Sequence, residues 1–196
     1  MPEQHGTVVP VSDDGETLVH VDVHVSSEGR DDYGLLAGFG ARFYERDESG
    51  VEDAIGIITG WIAWSTLGAD IADAADSISD DAAHIGYIAS LALAEVQAAD
   101  PFVEDALLID RLHIEKGYRG RGLLGKMITA LVETLRLQVN GCVVVTDPEP
   151  QREGGGQYDE GPQRDAAMSG LFRSLEAAGF QSWPNDKAMW MLLADR

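Results

Sequence analysis

The chain has 196 residues, enough for one ordinary domain with its own core and short for two. Its 34 acidic against 14 basic residues leave a formal charge of −20. Such a surface repels phosphate backbones and anionic bilayers, so neither nucleic acid nor a membrane is expected as a partner. An apolar share of 44% argues against wholesale disorder. No run approaches the ~18 consecutive apolar residues of a membrane span. The single cysteine, Cys142, excludes an internal disulfide and a cysteine-based zinc site. Residues 1–10 have neither a basic start nor an apolar centre, so no signal peptide is expected. Residues 1–196 therefore read as one soluble, cytoplasmic domain. Lys116, Lys126 and Lys187 are the only lysines, against eleven arginines. Scarce lysine with excess acid resembles proteins of salt-rich cytoplasms, where counterions screen a carboxylate surface.

Taken in chain order, Thr17–Val25 alternates strictly, which predicts a strand. Val19, Val21, Val23 and Val25 take one face and His20, Asp22 and His24 the other. A second strand is predicted over Leu35–Glu45 after the Gly34 break, then a turn over Arg46–Asp53 and a third strand over Ala54–Thr66. Together they form an antiparallel meander. From Gly68 to Ala98 the chain is alanine-rich with apolar residues at helical spacing, giving one helix or two, broken near Ser77–Asp81. Ala106–Ile114 is nearly continuously apolar, as in a central strand buried on both faces. Leu124, Met127, Ile128, Leu131, Val132 and Leu135 form an amphipathic stripe, closed by Asn140-Gly141. Cys142–Thr146 reads as a short buried strand and the proline- and glycine-rich stretch Asp147–Gln163 as a mobile loop. A last helix over Arg164–Ala178 ends at Gly179. Strands at Phe180–Trp183 and Ala188–Leu193 follow, around the turn Pro184-Asn185-Asp186. This order suits an α/β or α+β fold: one mixed, mostly antiparallel sheet flanked by helices.

The most informative stretch is Leu112–Leu124, where a buried strand runs through a basic, glycine-rich turn straight into an amphipathic helix. At such a junction backbone N–H groups are left unpaired and the helix dipole adds partial positive charge. Gly120 and Gly122 let the backbone approach an anion closely, and Arg119 and Arg121 add full charges. The combination is suited to a phosphate or pyrophosphate. A Walker-type loop fits poorly, because Gly125-Lys126 is followed by Met127 rather than Ser or Thr. A dinucleotide fingerprint fits poorly as well, since the turn lies past mid-chain.

The run from Ile114 to Leu124 resembles the acetyl-CoA loop of the GNAT superfamily of N-acetyltransferases, whose pattern is Arg/Gln-x-x-Gly-x-Gly/Ala. Arg119 and Gly122 match it, and Leu124 stands where the last small residue belongs. Ser174–Phe180 is similar to the family's Leu-Tyr-Glu-Lys-Leu-Gly-Phe box, with Leu175 at the tyrosine position. The resemblance implies a GNAT-like fold and acetyl-CoA as cosubstrate. It implies that the strand backbone at Leu112, His113 and Ile114 pairs with the pantetheine arm. The N–H groups of Arg119, Gly120, Arg121, Gly122, Leu123 and Leu124 would then hold the pyrophosphate. It further implies direct attack of an acceptor amine on the thioester, with a carboxylate base on or near the central strand and a tyrosine acid. The alternative is a non-catalytic acyl-CoA-binding module. Leu175 cannot donate a proton, so Tyr158 or water is left for the acid step.

For the base, Asp110 and His113 are alternatives, expected on opposite strand faces because three residues separate them. Glu104 and Asp105 lie at the start of the same strand. His20, Asp22 and His24 could be metal ligands but are spaced widely for one ion, and no metal is expected. Trp61 and Trp64 suit core packing better than a stacking platform. Cys142, without a basic neighbour, suits the core better than a nucleophile.

Overall fold

The computed structural model describes residues 19–26, 34–46, 52–64, 66, 70–137, 141–152 and 156–193. The expected absence of a leader at 1–10, Thr17 and Leu18 of the first strand, the centre of the turn after Arg46, and Asn140 lie outside the described residues. The strands are β1 (Val19–Ser26), β2 (Leu36–Arg46), β3 (Glu52–Ala63), β4 (Asp105–Ile114), β5 (Cys142–Thr146), β6 (Gln181–Ser182) and β7 (Met189–Leu193). The helices are α1 (Ile71–Asp76), α2 (Asp80–Gln97), α3 (Leu123–Leu135) and α4 (Pro162–Ala177).

The seven strands form one sheet in the order β1-β2-β3-β4-β5-β7-β6. Every neighbouring pair is antiparallel except β4–β5, which is parallel and joined through α3. A parallel pair needs such a crossover, and α3 supplies it. Helices lie on both faces. Met127, Ile128 and Leu131 of α3 and Leu175 of α4 pack with Phe39, Phe43, Ile58, Leu107 and Ile109 on one side. Ile71, Ile85, Ile88 and Leu93 of α1 and α2 pack with Leu108, Val143 and Val145 on the other. The fold is α+β, and β5 is buried throughout because both its faces are covered.

The expected break between the first helices falls at Ser77–Ser79. Ser79 starts α2 as an N-cap whose Oγ accepts the N–H of Ala82 at 3.1 Å. Replacing Ser79 by alanine is expected to lower stability by about 1 kcal/mol, read from denaturant midpoints with an unchanged m-value.

Several boundaries differ from expectation. β3 ends at Ala63, and Trp64 stands 40% exposed while Trp61 packs half-buried against the α1–α2 core. α3 closes at Arg136 rather than at Asn140-Gly141. Arg136 adopts a φ of 57°, and the N–H of Leu137 returns to the carbonyl of Val132 at 3.0 Å. The chain turns there because Leu137 drops fully into the core. α4 begins at Pro162, whose missing N–H is harmless in a first helical turn. Part of the expected loop is also braced, by a bridge between Gln151 and Gln157 and an ion pair between Arg152 and Asp159.

The most consequential difference is a bulge in β4. Thr59 pairs with Arg111 and Gly60 with Ile109, so Asp110 has no opposite number on β3. An extra residue reverses the alternation beyond it. Leu107 and Ile109 face the α3 side before the bulge, and Leu112 and Ile114 face it afterwards. Asp110 and His113 therefore share the α2 side of the strand, which corrects the expectation of opposite faces.

Candidate functional site

β4 and β5 run together from Asp105 opposite Cys142 to Ile109 opposite Thr146, and there their pairing stops. Beyond it, residues 110–114 keep β3 on one side, and among the described residues no strand pairs with their other edge. The sheet parts at Asp110. Below that apex lies a cleft of about 650 Å³. Leu112, His113 and Ile114 of β4 line it, with Tyr118, Arg119 and Gly120 of the turn and Gly122–Gly125 at the start of α3. Pro150, Gln151 and Tyr158 close it from beyond β5, and Ala167, Gly170, Leu171, Arg173 and Ser174 of α4 from the side.

The turn is a glycine-rich start to a helix. A short 3-10 turn, Lys116–Tyr118, leads from β4 into it. The Nε of Arg119 donates to the carbonyl of Ile114 at 2.8 Å and so fastens the turn to the strand end. Gly120 and Gly122 both sit in the left-handed region, at φ 75° and 70°, where a Cβ would be strained. Gly122 is the N-cap of α3 and, as a glycine, supplies no side-chain cap, and the first turn of the helix holds no acidic residue. The positive end of the helix dipole thus opens on the cleft with no acidic side chain in its own first turn to neutralise it.

Eight of the nine residues expected to hold a cofactor line this cleft: Leu112, His113, Ile114, Arg119, Gly120, Gly122, Leu123 and Leu124. Arg121 does not. Its guanidinium turns toward β2, 3.9 Å from Glu45 and stacked 4.7 Å over the Tyr118 ring, so it braces the turn. Arg173 supplies a second cation in the cleft wall instead. The sequence carried that signal in its spacing, since Gly170, Arg173 and Ala177 fall on one face of α4.

Asp110 stands at the apex, just above the lining residues, with its side chain 26% exposed. Burial pushes its carboxyl above the ordinary carboxylate value; Arg111, 3.4 Å away, pulls it back, and the charge of Asp81 on α2 pushes it further up. The His113 ring faces Glu115, at 3.6 Å. Glu104 and Asp105 lie at the paired end of the strand, about five residues or ~16 Å from the parting, outside reach of the apex.

Leu175 is 2% exposed and belongs to the core, so the box position presents no side chain to the cleft. Tyr158 does reach it, its ring 5.8 Å below the Arg152 guanidinium. Burial drives the Cys142 thiol well above its usual value, leaving it unreactive in the core. His20 lies 6.3 Å from the Tyr44 ring, while Asp22 and His24 are exposed. Among the described residues no group of three His, Cys, Asp or Glu is placed to hold a metal, and no helix is long and apolar enough to cross a membrane. No family model, curated protein or solved structure matches the chain.

Proposed function

We propose that the protein is an acetyl-CoA-dependent N-acyltransferase of the GNAT type. One observation carries this reading: a strand edge with which no described strand pairs leads directly to a glycine-capped helix start with two left-handed glycines, all within a single cleft. The strand edge suits the amide groups of a pantetheine arm, which would add to β4 as a further short strand. The turn and the first N–H groups of α3 suit the pyrophosphate, and Arg119 and Arg173 suit the remaining phosphate charge.

With the arm so directed, the thioester would end near the parting of β4 and β5, beside Asp110. The acceptor amine attacks the carbonyl carbon, a C–N bond forms as the C–S bond breaks, and the thiolate leaves. Asp110 takes the amine proton, directly or through water. Its raised basicity and its place at the apex favour it over His113, whose ring points to Glu115. Of the two phenols that line the cleft, Tyr118 is stacked under Arg121 with its hydroxyl toward Asp53, which leaves Tyr158 to protonate the thiolate. The acidic surface would draw in a cationic amine.

Following free thiol while acetyl-CoA meets a panel of amines tests the activity. Asp110→Asn is expected to lower the rate by roughly 10²–10⁴-fold with acetyl-CoA affinity unchanged. In the wild type the rate should fall on acidification at a pH above the ordinary carboxylate value, because a raised carboxyl is protonated sooner; that limb should vanish in Asp110→Asn. An unaltered rate in this variant would remove Asp110 from the reaction. The burial of Leu175 specifically favours a second reading, an acyl-CoA-binding module without catalysis. Saturable acetyl-CoA binding with no thiol release from any amine would select it.

A further inference from the structure

His84, on α2, joins three elements distant in sequence. Its Nδ1 lies 3.1 Å from Oδ2 of Asp147, the residue that leaves β5, and its Nε2 lies 3.1 Å from Oδ2 of Asp186 in the β6–β7 turn. Lys187 approaches the same Asp147 oxygen at 2.8 Å. Asp186 is itself fixed to its turn, its Oδ1 accepting the N–H of Ala188 at 2.8 Å. A neutral imidazole has one N–H and one lone pair, so it can donate to only one of two carboxylates. Both contacts are favourable together only in the imidazolium, and each is then charge-assisted.

We propose that His84 is a pH-operated latch: as the imidazolium it ties the exit of β5 and the β6–β7 turn to α2, and on losing a proton it releases one of them. The exit of β5 carries Pro150 and Gln151 into the cleft wall, so release of Asp147 loosens that wall. The latch is a property of the free protein and stands apart from the proposed reaction.

The charges of Asp186 and Asp147 favour the proton on the ring, and the other charged groups lie on the elements packed about it. Asp80 and Asp81 lie one turn earlier on α2, Asp147 and Glu149 come from beyond β5, and Asp186 from the turn. Against them stand Lys187 and, from α4, Arg164, which is paired with Glu149 at 3.1 Å. From β4, Asp110 adds a further carboxyl on the α2 side. Burial lowers the His84 pKa, but the hydrogen bonds and charges of Asp186 and Asp147 outweigh it, and the net value is above 6.5. A pKa raised on folding contributes stability that is complete below 6.5 and lost as pH rises through the folded value. The Asp186 carboxyl is held below 3.8, first by the Ala188 N–H and also by His84, so its contribution is present above 3.8 and lost as pH falls through the lower value. The tie is therefore strongest between these limits.

The test uses the full chain. Imidazole NMR signals are followed against pH in the wild type, His84→Gln and Asp186→Asn. One histidine should titrate above 6.5, its signal should be missing in His84→Gln, and its midpoint should move down in Asp186→Asn. Hydrogen exchange, corrected for intrinsic rates, should quicken several-fold in 147–151 and 183–188 between about pH 6 and about pH 8.5. In His84→Gln those rates should match at both pH values. A His84 midpoint at or below 6.5, or protection of both segments unchanged across the interval, overturns the latch. Should His84→Gln fail to fold, the wild-type titration beside Asp186→Asn still decides.

Discussion

Gly122→Asp is expected to abolish acetyl-CoA binding, by at least a hundredfold, while the fold persists. The position is the N-cap of α3 at φ 70°, and aspartate is among the few side chains that visit this region and cap a helix well. No neighbouring atom lies within 4 Å of an added Cβ, so there is room for it. The new carboxylate would take up the N–H groups proposed to hold the pyrophosphate and set like charge against it. A hundredfold corresponds to about 2.7 kcal/mol, within reach of one lost anion site combined with charge repulsion. Calorimetric titration checks the affinity, and circular dichroism the fold. Arg119→Ala should weaken binding less, because its Nε is engaged with Ile114.

Gly60→Ala should be the most damaging of the small substitutions in the sheet. A Cβ at Gly60 would collide with the carbonyl oxygen of Leu108 and crowd the Asp110 N–H at 3.1 Å. Backbone cannot move aside as a flexible side chain can, so a loss of about 2–3 kcal/mol is expected in denaturant unfolding. The close approach exists because β3 follows the bulged strand, so the same change should disturb Asp110 and, on the proposed function, lower the acyl-transfer rate of the fraction that folds. Gly40→Ala is the control: an added Cβ there meets nothing within 4 Å, and stability should stay within about 0.5 kcal/mol.

Much of the fold was legible because it rests on local patterns. β5 begins where its apolar run does and ends one residue past it, at Thr146, and the stripe of α3 announces the face it buries. The turn at 116–122 was legible as a glycine-rich helix start because glycine spacing, charge and a strand–helix junction are sequence properties. What escaped depends on register and on distant partners. The bulge at Asp110 appears only when β3 is laid beside β4, and counting alternation along β4 alone gives the wrong face. Arg121 looked like a ligand until Glu45 and Tyr118 were brought to it by the fold. His84 meets Asp147 and Asp186 across 63 and 102 residues, a separation no local pattern encodes. The early end of α3 at Arg136 follows from the burial of Leu137, a tertiary effect that overrides the more obvious stop at Asn140-Gly141.

Backbone amide NMR during a titration with coenzyme A tests most directly whether the parted sheet and the start of α3 form one cofactor site. The expected result is saturable shifts concentrated at 110–114 and 119–125, with Gly122→Asp silent under the same conditions. Saturable shifts centred elsewhere, or none in the wild type, would contradict it.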